Sequence, residues 1–290
     1  MAAFTAELRR EIAARTGPWI NATSYTTPLY VVPADQPRVA VALDVSWGAG
    51  LRAAFAAGVP LPADAVPSAG TDAQLTVYQP ATDTLWEFWQ LARTASGWHA
   101  RWGGAMRDVS NGPGYYTATS WPGVTGPEAW TWGATATSLP AIAGTITVAE
   151  LERGEIDHAL AVAIPDACAN WFTWPAQRDD GGSTAPDCLP EGARLRLDPN
   201  LDLDSLDLPP LTRILATAAQ RYGVIVRDVT HQSVGFYAED PRPVGTNPYA
   251  GQSGLFGGLQ PWQFLAQFPW DRLELLELTP CTAAPCLAPS

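Results

Sequence analysis

The stretch Ile156-Asp157-His158-Ala159-Leu160-Ala161-Val162-Ala163-Ile164 decides the fold class, because larger apolar residues occupy every second position with one exception. A period of two is that of a β-strand, whose alternate side chains point to opposite faces. His158 is the exception, and a histidine in an apolar row points into a core or a cavity. The stretch therefore predicts a strand with one polar group on its apolar face.

Similar patterns recur along the chain, separated by breaks rich in proline and glycine. With 27 Pro and 25 Gly among 290 residues, many short strands joined by turns are expected. The sequence predicts strands at 29–32, 39–45, 75–79, 85–91, 98–102, 145–148, 156–164, 224–226, 234–238 and 273–278. It predicts helices at 5–15, 210–222 and 262–268, and the second of these begins at consecutive prolines and ends at Gly223.

These elements predict a mainly β protein with a few peripheral helices, arranged as a two-sheet sandwich or a jelly-roll-like fold. Residues 1–27 are expected to form an N-terminal helix and arm. Residues 28–290 are expected to form a single β-rich domain that includes the helix near 210–222 and a C-terminal extension. Neither an internal repeat nor a low-complexity linker divides the sequence.

The composition indicates which classes of partner the protein does not have. Hydrophobic residues make up 47% of the chain, enough for a real core, and charged residues only 16%. The formal net charge is −12, and all 17 basic residues are arginine. An acidic chain without a basic stripe argues against nucleic acid and against anionic membrane surfaces as partners.

The beginning of the sequence carries no apolar segment of the kind found in secretion signals. No apolar run along the chain is long enough to span a membrane. We therefore expect no signal peptide and no membrane insertion. A protein with these properties either stays in the cytoplasm or leaves the cell as part of a larger particle.

Four cysteines fall in two close pairs, Cys168 with Cys188 and Cys281 with Cys286. Each pair can close a proline-containing loop as a disulfide, and the sequence leaves open whether the disulfides form. The cysteines and histidines show no zinc-ligand spacing.

A run of acidic residues between Asp198 and Asp207 invites comparison with calcium-binding loops. It lacks both the ligand spacing and the central glycine of the EF-hand loop. These acids are instead expected to lead into the helix at 210–222 and to favour its positive N-terminal end. The sequence therefore predicts no metal site and no cofactor.

Glu87 and His158 are the candidate acid and base. Glu87 lies in an apolar row of the strand predicted at 85–91, as His158 does in its own strand. Two inward polar residues on different strands would line one cleft, where burial raises the pKa of a carboxyl group. The alternative is that each is hydrogen-bonded within the core, as buried polar groups usually are. Asp83 is a weaker assistant, because four residues of strand separate its Cα from that of Glu87 by about 13 Å.

Tryptophan is the compositional outlier, with 13 residues in the chain. Flat indole faces stack on the C–H-rich faces of sugars, while arginine and acidic groups bond to the hydroxyls. The alternative is that about half of these residues belong to a sandwich core. The predicted glycan-binding residues are Trp86, Trp89, Trp98, Trp102, Trp121, Trp130, Trp132 and Arg101.

Several segments together resemble a poorly characterised family encoded by actinobacteria and by their tailed bacteriophages, whose phage members are labelled minor tail proteins. The similarity spans residues 28–278. The segments that carry it are the one at 28–37 and those that read DTLWEFW (83–89), WGATATSLP (132–140), IDHAL (156–160), WPAQR (174–178) and QRYG (220–223). The resemblance implies a location in a virion tail, reached by assembly in the host and release on lysis, and it implies no reaction mechanism.

Three functions follow as hypotheses. The first is a minor tail protein at the tail tip that contacts cell-envelope polysaccharide, with other tail proteins or further copies of itself as partners. The second is an enzyme of the same fold that degrades a polysaccharide by hydrolysis or elimination, with Glu87, His158 and Asp83 as catalytic residues. The third is a purely architectural virion or surface protein whose tryptophans serve core and subunit contacts. The sequence favours a role without catalysis.

Overall fold

The computed structural model describes residues 17–124, 126–231 and 233–289. Over these residues the protein is mainly β, with fifteen short strands in four sheets and four short α-helices at the periphery. The predicted fold class is confirmed. The helix predicted at 5–15 lies outside the described residues.

The largest sheet has six strands. In spatial order they are β1 (Trp19–Asn21), β13 (Gly235–Tyr237), β9 (Leu160–Ile164), β12 (Val224–Val229), β11 (Arg194–Leu197) and β14 (Leu273–Leu275). The sheet is mixed, because β1 runs parallel to β13 and β12 runs parallel to β9, whereas the other pairs are antiparallel. Residues 19–21 of the predicted N-terminal arm therefore form an edge strand of this sheet.

The strand predicted at 156–164 begins only at Leu160, so the prediction for its first four residues was wrong. All five residues of β9 are buried, on both faces, as expected for an inner strand with neighbours on either side. His158 lies in a bend before the strand and does not belong to its apolar row. The alternation of residue size in this stretch therefore did not reflect one buried and one exposed face.

The strand predicted at 145–148 was also wrong. Thr147 instead caps the helix α2 (Val148–Arg153) in a capping box with Glu150, and the helix ends at Gly154 with a φ of 77°. The pattern Thr-x-x-Glu satisfies two backbone N–H groups at once, and this local gain favours the helix over an extended chain. Of the predicted strand, Ile146 alone keeps a bridge, to Ala238.

A second group of strands precedes residue 108. A four-stranded sheet has the order β2 (Leu29–Val31), β4 (Leu75–Gln79), β5 (Thr84–Trp89) and β8 (Trp102–Arg107). A three-stranded sheet has the order β3 (Val41–Leu43), β7 (Gly97–Ala100) and β6 (Ala92–Thr94), beside the helix α1 (Ala49–Ala56). The single strand predicted at 98–102 is thus two strands, divided at Arg101.

The remaining elements complete the periphery. The helix α3 (Pro210–Arg221) agrees closely with the prediction at 210–222 and buries Leu211 and Leu215, and α4 (Pro261–Leu265) is shorter than predicted. A two-stranded sheet joins β10 (Phe172–Thr173) to β15 (Pro280–Cys281). Short 3₁₀ helices lie at Pro80–Thr82, Val109–Asn111, Pro127–Thr131, Leu203–Ser205, Arg242–Val244 and Trp270–Arg272.

The apolar residues form two main clusters. One lies between Val32 and Trp132, around the four- and three-stranded sheets. The other contains Ile20, Ala22 and residues from Ile146 to Leu273, around the six-stranded sheet. The predicted single domain at 28–290 therefore holds two cores, linked by the segment 133–141. Within the described part of the chain, no helix is long and apolar enough to cross a bilayer.

Candidate functional site

The segment 133–141 is held from the first core by Glu87. The side chain of Glu87 is fully buried, and its two oxygens accept the backbone N–H groups of Ala134 at 2.8 Å and of Ala141 at 2.6 Å. Opposite Glu87 in the sheet stands Gly104, and the Tyr116 ring occupies the space that a side chain there would need. Burial raises the pKa of Glu87 to about 7, although the two backbone N–H groups lower it.

Two arginines hold the same segment from the second core. Arg178 donates through Nε to the carbonyl of Ala136 and through Nη2 to the carbonyls of Gly133 and Thr135, at 2.6 to 3.1 Å. Buried Arg227 donates to the carbonyl of Ala141 at 2.6 Å. The linking segment is thus held by ionisable side chains on both sides, which satisfy several of its backbone N–H and carbonyl groups.

Arg227 occupies a bulge in the strand β12. Val226 pairs with Val162 and Asp228 with the next residue, Ala163, so Arg227 is the extra residue. A bulge changes the direction in which the neighbouring side chains point. Here the guanidinium group of Arg227 lies 3.9 Å from the centre of the Tyr237 ring, and Asp228 lines a cavity.

That cavity, which we call the tryptophan cavity, lies beside the linking segment and has a volume of about 360 Å³. Cavities that hold small ligands begin at roughly this size. Its lining comes from both cores and from the segment between them: Val45, Trp47, Asp72, Gln74, Trp89, Arg101, Trp102, Gly133, Ala134, Thr135, Ala136, Arg178, Asp179, Asp180 and Asp228.

Three indole rings form the aromatic wall of the cavity. The rings of Trp47 and Trp102 are 4.2 Å apart between centroids and tilted by 40°. Trp47 is 58% exposed, whereas Trp102 is buried beneath it. Gly48 makes this contact possible, because its φ is 78° and a Cβ there would lie 2.6 Å from the Trp102 ring. Trp89, the third ring, donates its indole N–H to Asp72 at 3.1 Å.

Polar groups surround these rings. Gln74 donates its amide N–H to the carbonyl of Ala134 at 3.0 Å, and its Oε1 is buried with no hydrogen-bond partner within the described ranges. A buried acceptor without a donor is costly, so this oxygen is suited to a hydroxyl or an N–H group of a ligand. Arg101 is exposed at the rim of the cavity.

Three acidic side chains meet at one side of the cavity. Asp180, Glu191 and Asp228 each place a carboxylate oxygen within 4.8 Å of the others. Burial raises the pKa of Asp228 to about 7, and the charge of Asp180 raises it as well. Burial and the charges of Asp180 and Asp228 likewise hold the pKa of Glu191 above its ordinary value. The three groups therefore resist being ionised together in the absence of a neutralising partner.

The predicted tryptophan cluster divides into several places. Trp89, Trp102 and Arg101 meet in the tryptophan cavity. Trp86 and Trp121 lie in a separate small pocket with Arg107 stacked over Trp121 at 4.8 Å. The other three predicted glycan-contact residues are elsewhere, and two of them are buried: Trp98, Trp130 and Trp132. A single exposed platform built from all seven rings is therefore not what the chain forms.

The predicted catalytic residues do not share a cleft. Glu87 is enclosed by the linking segment, whereas His158 pairs with Glu150 at 3.0 Å and contacts the carbonyl of Ala159. Asp83 lies at a turn outside the sheet, where it accepts hydrogen bonds from Tyr78 and Ser110. The alternative interpretation of Glu87 and His158 was hydrogen bonding within the fold. The observed partners of both residues agree with it.

Both cysteine pairs are disulfide-bonded in the structure, Cys168 to Cys188 and Cys281 to Cys286. The first bond closes the loop that carries Arg178, and with it Asp179 and Asp180. This disulfide therefore constrains the loop that supplies one side of the tryptophan cavity.

The predicted site residues did not include Trp47 or any polar group of the cavity other than Arg101. One local signal was present: Arg227 and Asp228 are adjacent charges inside an otherwise apolar strand, Val224-Ile225-Val226 on one side and Val229 on the other. Adjacent charges in a buried strand require a partner or a ligand. The other acidic residues of the cavity come from separate loops, and no spacing motif joins them.

Comparisons with protein-family models, with curated proteins and with solved structures find no match to this chain. The chemistry of the site therefore has to be inferred from its own geometry.

Proposed function

We propose that the protein binds a cell-envelope glycan in the tryptophan cavity, as a recognition protein at the tail tip of an actinobacteriophage. The observation that carries the glycan proposal is the exposed ring of Trp47, which lies against Trp102 at the mouth of a cavity that also holds an unsatisfied Gln74 oxygen. An apolar face beside directional polar groups is the combination that a sugar ring requires.

The polar groups of the cavity suit a neutral, hydroxyl-rich ligand. Gln74 and Asp72 supply acceptors, and Arg101 supplies donors at the rim. Several carboxyl groups on the opposite side disfavour an anionic ligand, and the net charge of −12 disfavours nucleic acid. Sugar hydroxyls both donate and accept hydrogen bonds, so they match this mixed lining.

The tail-tip location rests on the resemblance of residues 28–278 to proteins labelled minor tail proteins. The segments that carry this resemblance include those with Trp89, with Gly133 to Ala136 and with Arg178, and all of these line the cavity. A host-facing virion protein needs a site that recognises an envelope polymer. The cavity supplies such a site without a basic surface.

The proposal is tested by passing actinobacterial envelope polysaccharides over the immobilised protein and measuring retention. We expect retention by the wild-type chain and a loss of about 2 kcal/mol, or roughly thirtyfold in affinity, for Trp47→Ala, the usual scale for truncating a central aromatic contact. Trp262→Ala is the matched control, because Trp262 is 46% exposed and lies outside the tryptophan cavity.

Other outcomes would contradict the proposal. Equal retention by both variants would show that the glycan binds elsewhere. Release of oligosaccharides with new reducing ends would establish the polysaccharide-degrading alternative. Absence of retention for every envelope polysaccharide would favour an architectural role, in which the exposed ring of Trp47 contacts another virion subunit.

A further inference from the structure

We propose that Asp180, Glu191 and Asp228 bind a calcium ion at the side of the tryptophan cavity. This site is independent of the glycan proposal, since its three side chains and its test involve no sugar. The residues are separated by 11 and 37 positions in the numbering of the chain, so no calcium-loop spacing is visible in the sequence.

The geometry of the three carboxylates matches a single cation. Their oxygens all lie within 4.8 Å of one another, and oxygens bound to one calcium ion at about 2.3 to 2.6 Å lie at most about 5 Å apart. Magnesium demands a stricter octahedron at about 2.0 to 2.1 Å and usually keeps several waters instead of binding to a set of three carboxylates. Hard carboxylate oxygens without a sulfur or imidazole ligand also favour calcium over zinc or copper.

A second, independent observation indicates a missing partner. The side chain of Glu191 is completely buried, and its Oε2 accepts the backbone N–H of Asp180 at 2.8 Å. Its other oxygen, Oε1, has no hydrogen-bond partner anywhere in the described chain. A buried carboxylate oxygen without a donor, on a side chain that meets two more carboxylates, is suited to a cation.

The charges of Arg178 and Arg227 offset the negative charge of these carboxylates only in part. The guanidinium group of Arg178 is directed to the carbonyls of the linking segment and forms none of its hydrogen bonds with the three carboxylates. Asp72 and Asp179 add negative charge on the cavity wall. An ion can enter directly from solvent, because Asp180 is exposed and both Asp180 and Asp228 line the cavity.

An acid–base pair is the competing explanation for these carboxylates. In a polysaccharide hydrolase both catalytic groups must reach the sugar. Glu191 does not line the cavity and lies behind Asp180 and Asp228. It is therefore in position to bind an ion held between the three carboxylates, and out of position to touch a sugar.

The test is calorimetric titration of calcium chloride into the chelator-treated, disulfide-bonded full chain. We expect one ion to bind per chain. Glu191→Gln and Asp228→Asn should each lower the affinity by more than about tenfold, because even residues behind a metal ligand contribute tenfold or more. Asp207→Asn is the control, since Asp207 is an exposed acid in the run that sequence analysis had compared with calcium loops.

A second measurement keeps the test valid if a variant folds poorly. Terbium replaces calcium and emits when excited through a nearby tryptophan, and Trp89 and Trp102 line the same cavity as Asp228. We expect terbium emission from the wild-type chain that calcium displaces and that magnesium displaces poorly. Absence of calcium heat and of terbium emission would overturn the proposal. Unchanged calcium binding by both Glu191→Gln and Asp228→Asn would overturn it equally.

Discussion

Replacing Glu87 by glutamine separates a structural carboxyl group from a catalytic one. Each oxygen of Glu87 accepts one backbone N–H, from Ala134 and from Ala141. Glutamine keeps one oxygen and turns an NH₂ group toward the other N–H, which leaves a buried donor without an acceptor. One such group costs about 1–3 kcal/mol. We therefore expect Glu87→Gln to destabilise the protein by this amount at pH 5.

The size of the effect should depend on pH in a defined direction. Burial raises the pKa of Glu87 from 4.5 to about 7, so the folded protein holds a proton there that the unfolded chain releases between these values. Wild-type stability therefore falls by about 3 kcal/mol as the pH rises through this window, and the glutamine variant lacks this contribution. At pH 8 the difference between the two proteins should therefore vanish or change sign, so that the glutamine variant is at least as stable as the wild type.

The assay is urea unfolding of both proteins at pH 5 and pH 8, with exposed Glu152→Gln as the control. Glycan retention of the folded Glu87→Gln protein should equal that of the wild type. The reasoning would be refuted by an unfolding free energy that matches the wild type at pH 5, or by a difference that is the same at both pH values. Normal stability with a loss of polysaccharide cleavage would instead make Glu87 catalytic.

Three further predictions concern the rest of the fold. Burial raises the pKa of Glu150, but hydrogen bonds from His158 and the helix cap lower it to about 2, and the same pair raises the pKa of His158. The stabilisation by this pair should be largest between pH 4.5 and 6.5 and fall on both sides, and Glu150→Gln should abolish that maximum in thermal unfolding. Replacing Cys168 and Cys188 by serine should lower the free energy of unfolding by about 3 kcal/mol, because the loop of 20 residues is no longer closed. The same change should weaken calcium binding in calorimetry. An unchanged calcium affinity would show that the loop keeps its shape without the disulfide. Trp132→Ala should cost about 3–5 kcal/mol in urea unfolding, as for other core tryptophans, and a smaller loss than 1 kcal/mol would contradict its placement in the core.

Strands bounded by turn residues were predictable from local sequence, and some elements that compete with them were not. The strand at Leu75–Gln79 and the helix at Pro210–Arg221 follow from periodicity and flanking residues. The strand prediction for the residues before Leu160 was wrong, because residues in a bend alternate in size there by chance. The capping box at Thr147 is visible in the sequence, but the apolar residues around it led to the prediction of a strand.

The tryptophans show why a binding surface is harder to predict than a strand. Trp86 and Trp89 lie on one strand of the four-stranded sheet, yet Trp86 is buried and Trp89 lines the cavity. Which face of a strand is covered depends on the packing of distant segments, which a period of two does not contain. Glu87 was correctly predicted to point inward, but the first residue that donates a hydrogen bond to it, Ala134, lies 47 residues later.

The acidic cluster illustrates the same limit at the candidate site. Asp180 lies in the disulfide-closed loop, Glu191 follows that loop, and Asp228 lies after a bulge in the six-stranded sheet. These positions meet where the disulfide-closed loop packs beside Glu191 and the strand β12. A sequence motif cannot report a meeting of this kind, because the three residues come from separate parts of the chain and only Asp228 stands out in its own strand.

Side-chain footprinting shows whether a glycan occupies the tryptophan cavity. Hydroxyl radicals label exposed indole rings, and both Trp47 and Trp262 are exposed in the free protein. With a retained envelope oligosaccharide bound, we predict that Trp47 becomes protected while the labelling of Trp262 is unchanged. Labelling of Trp47 that stays at its free level at saturating oligosaccharide would contradict the account.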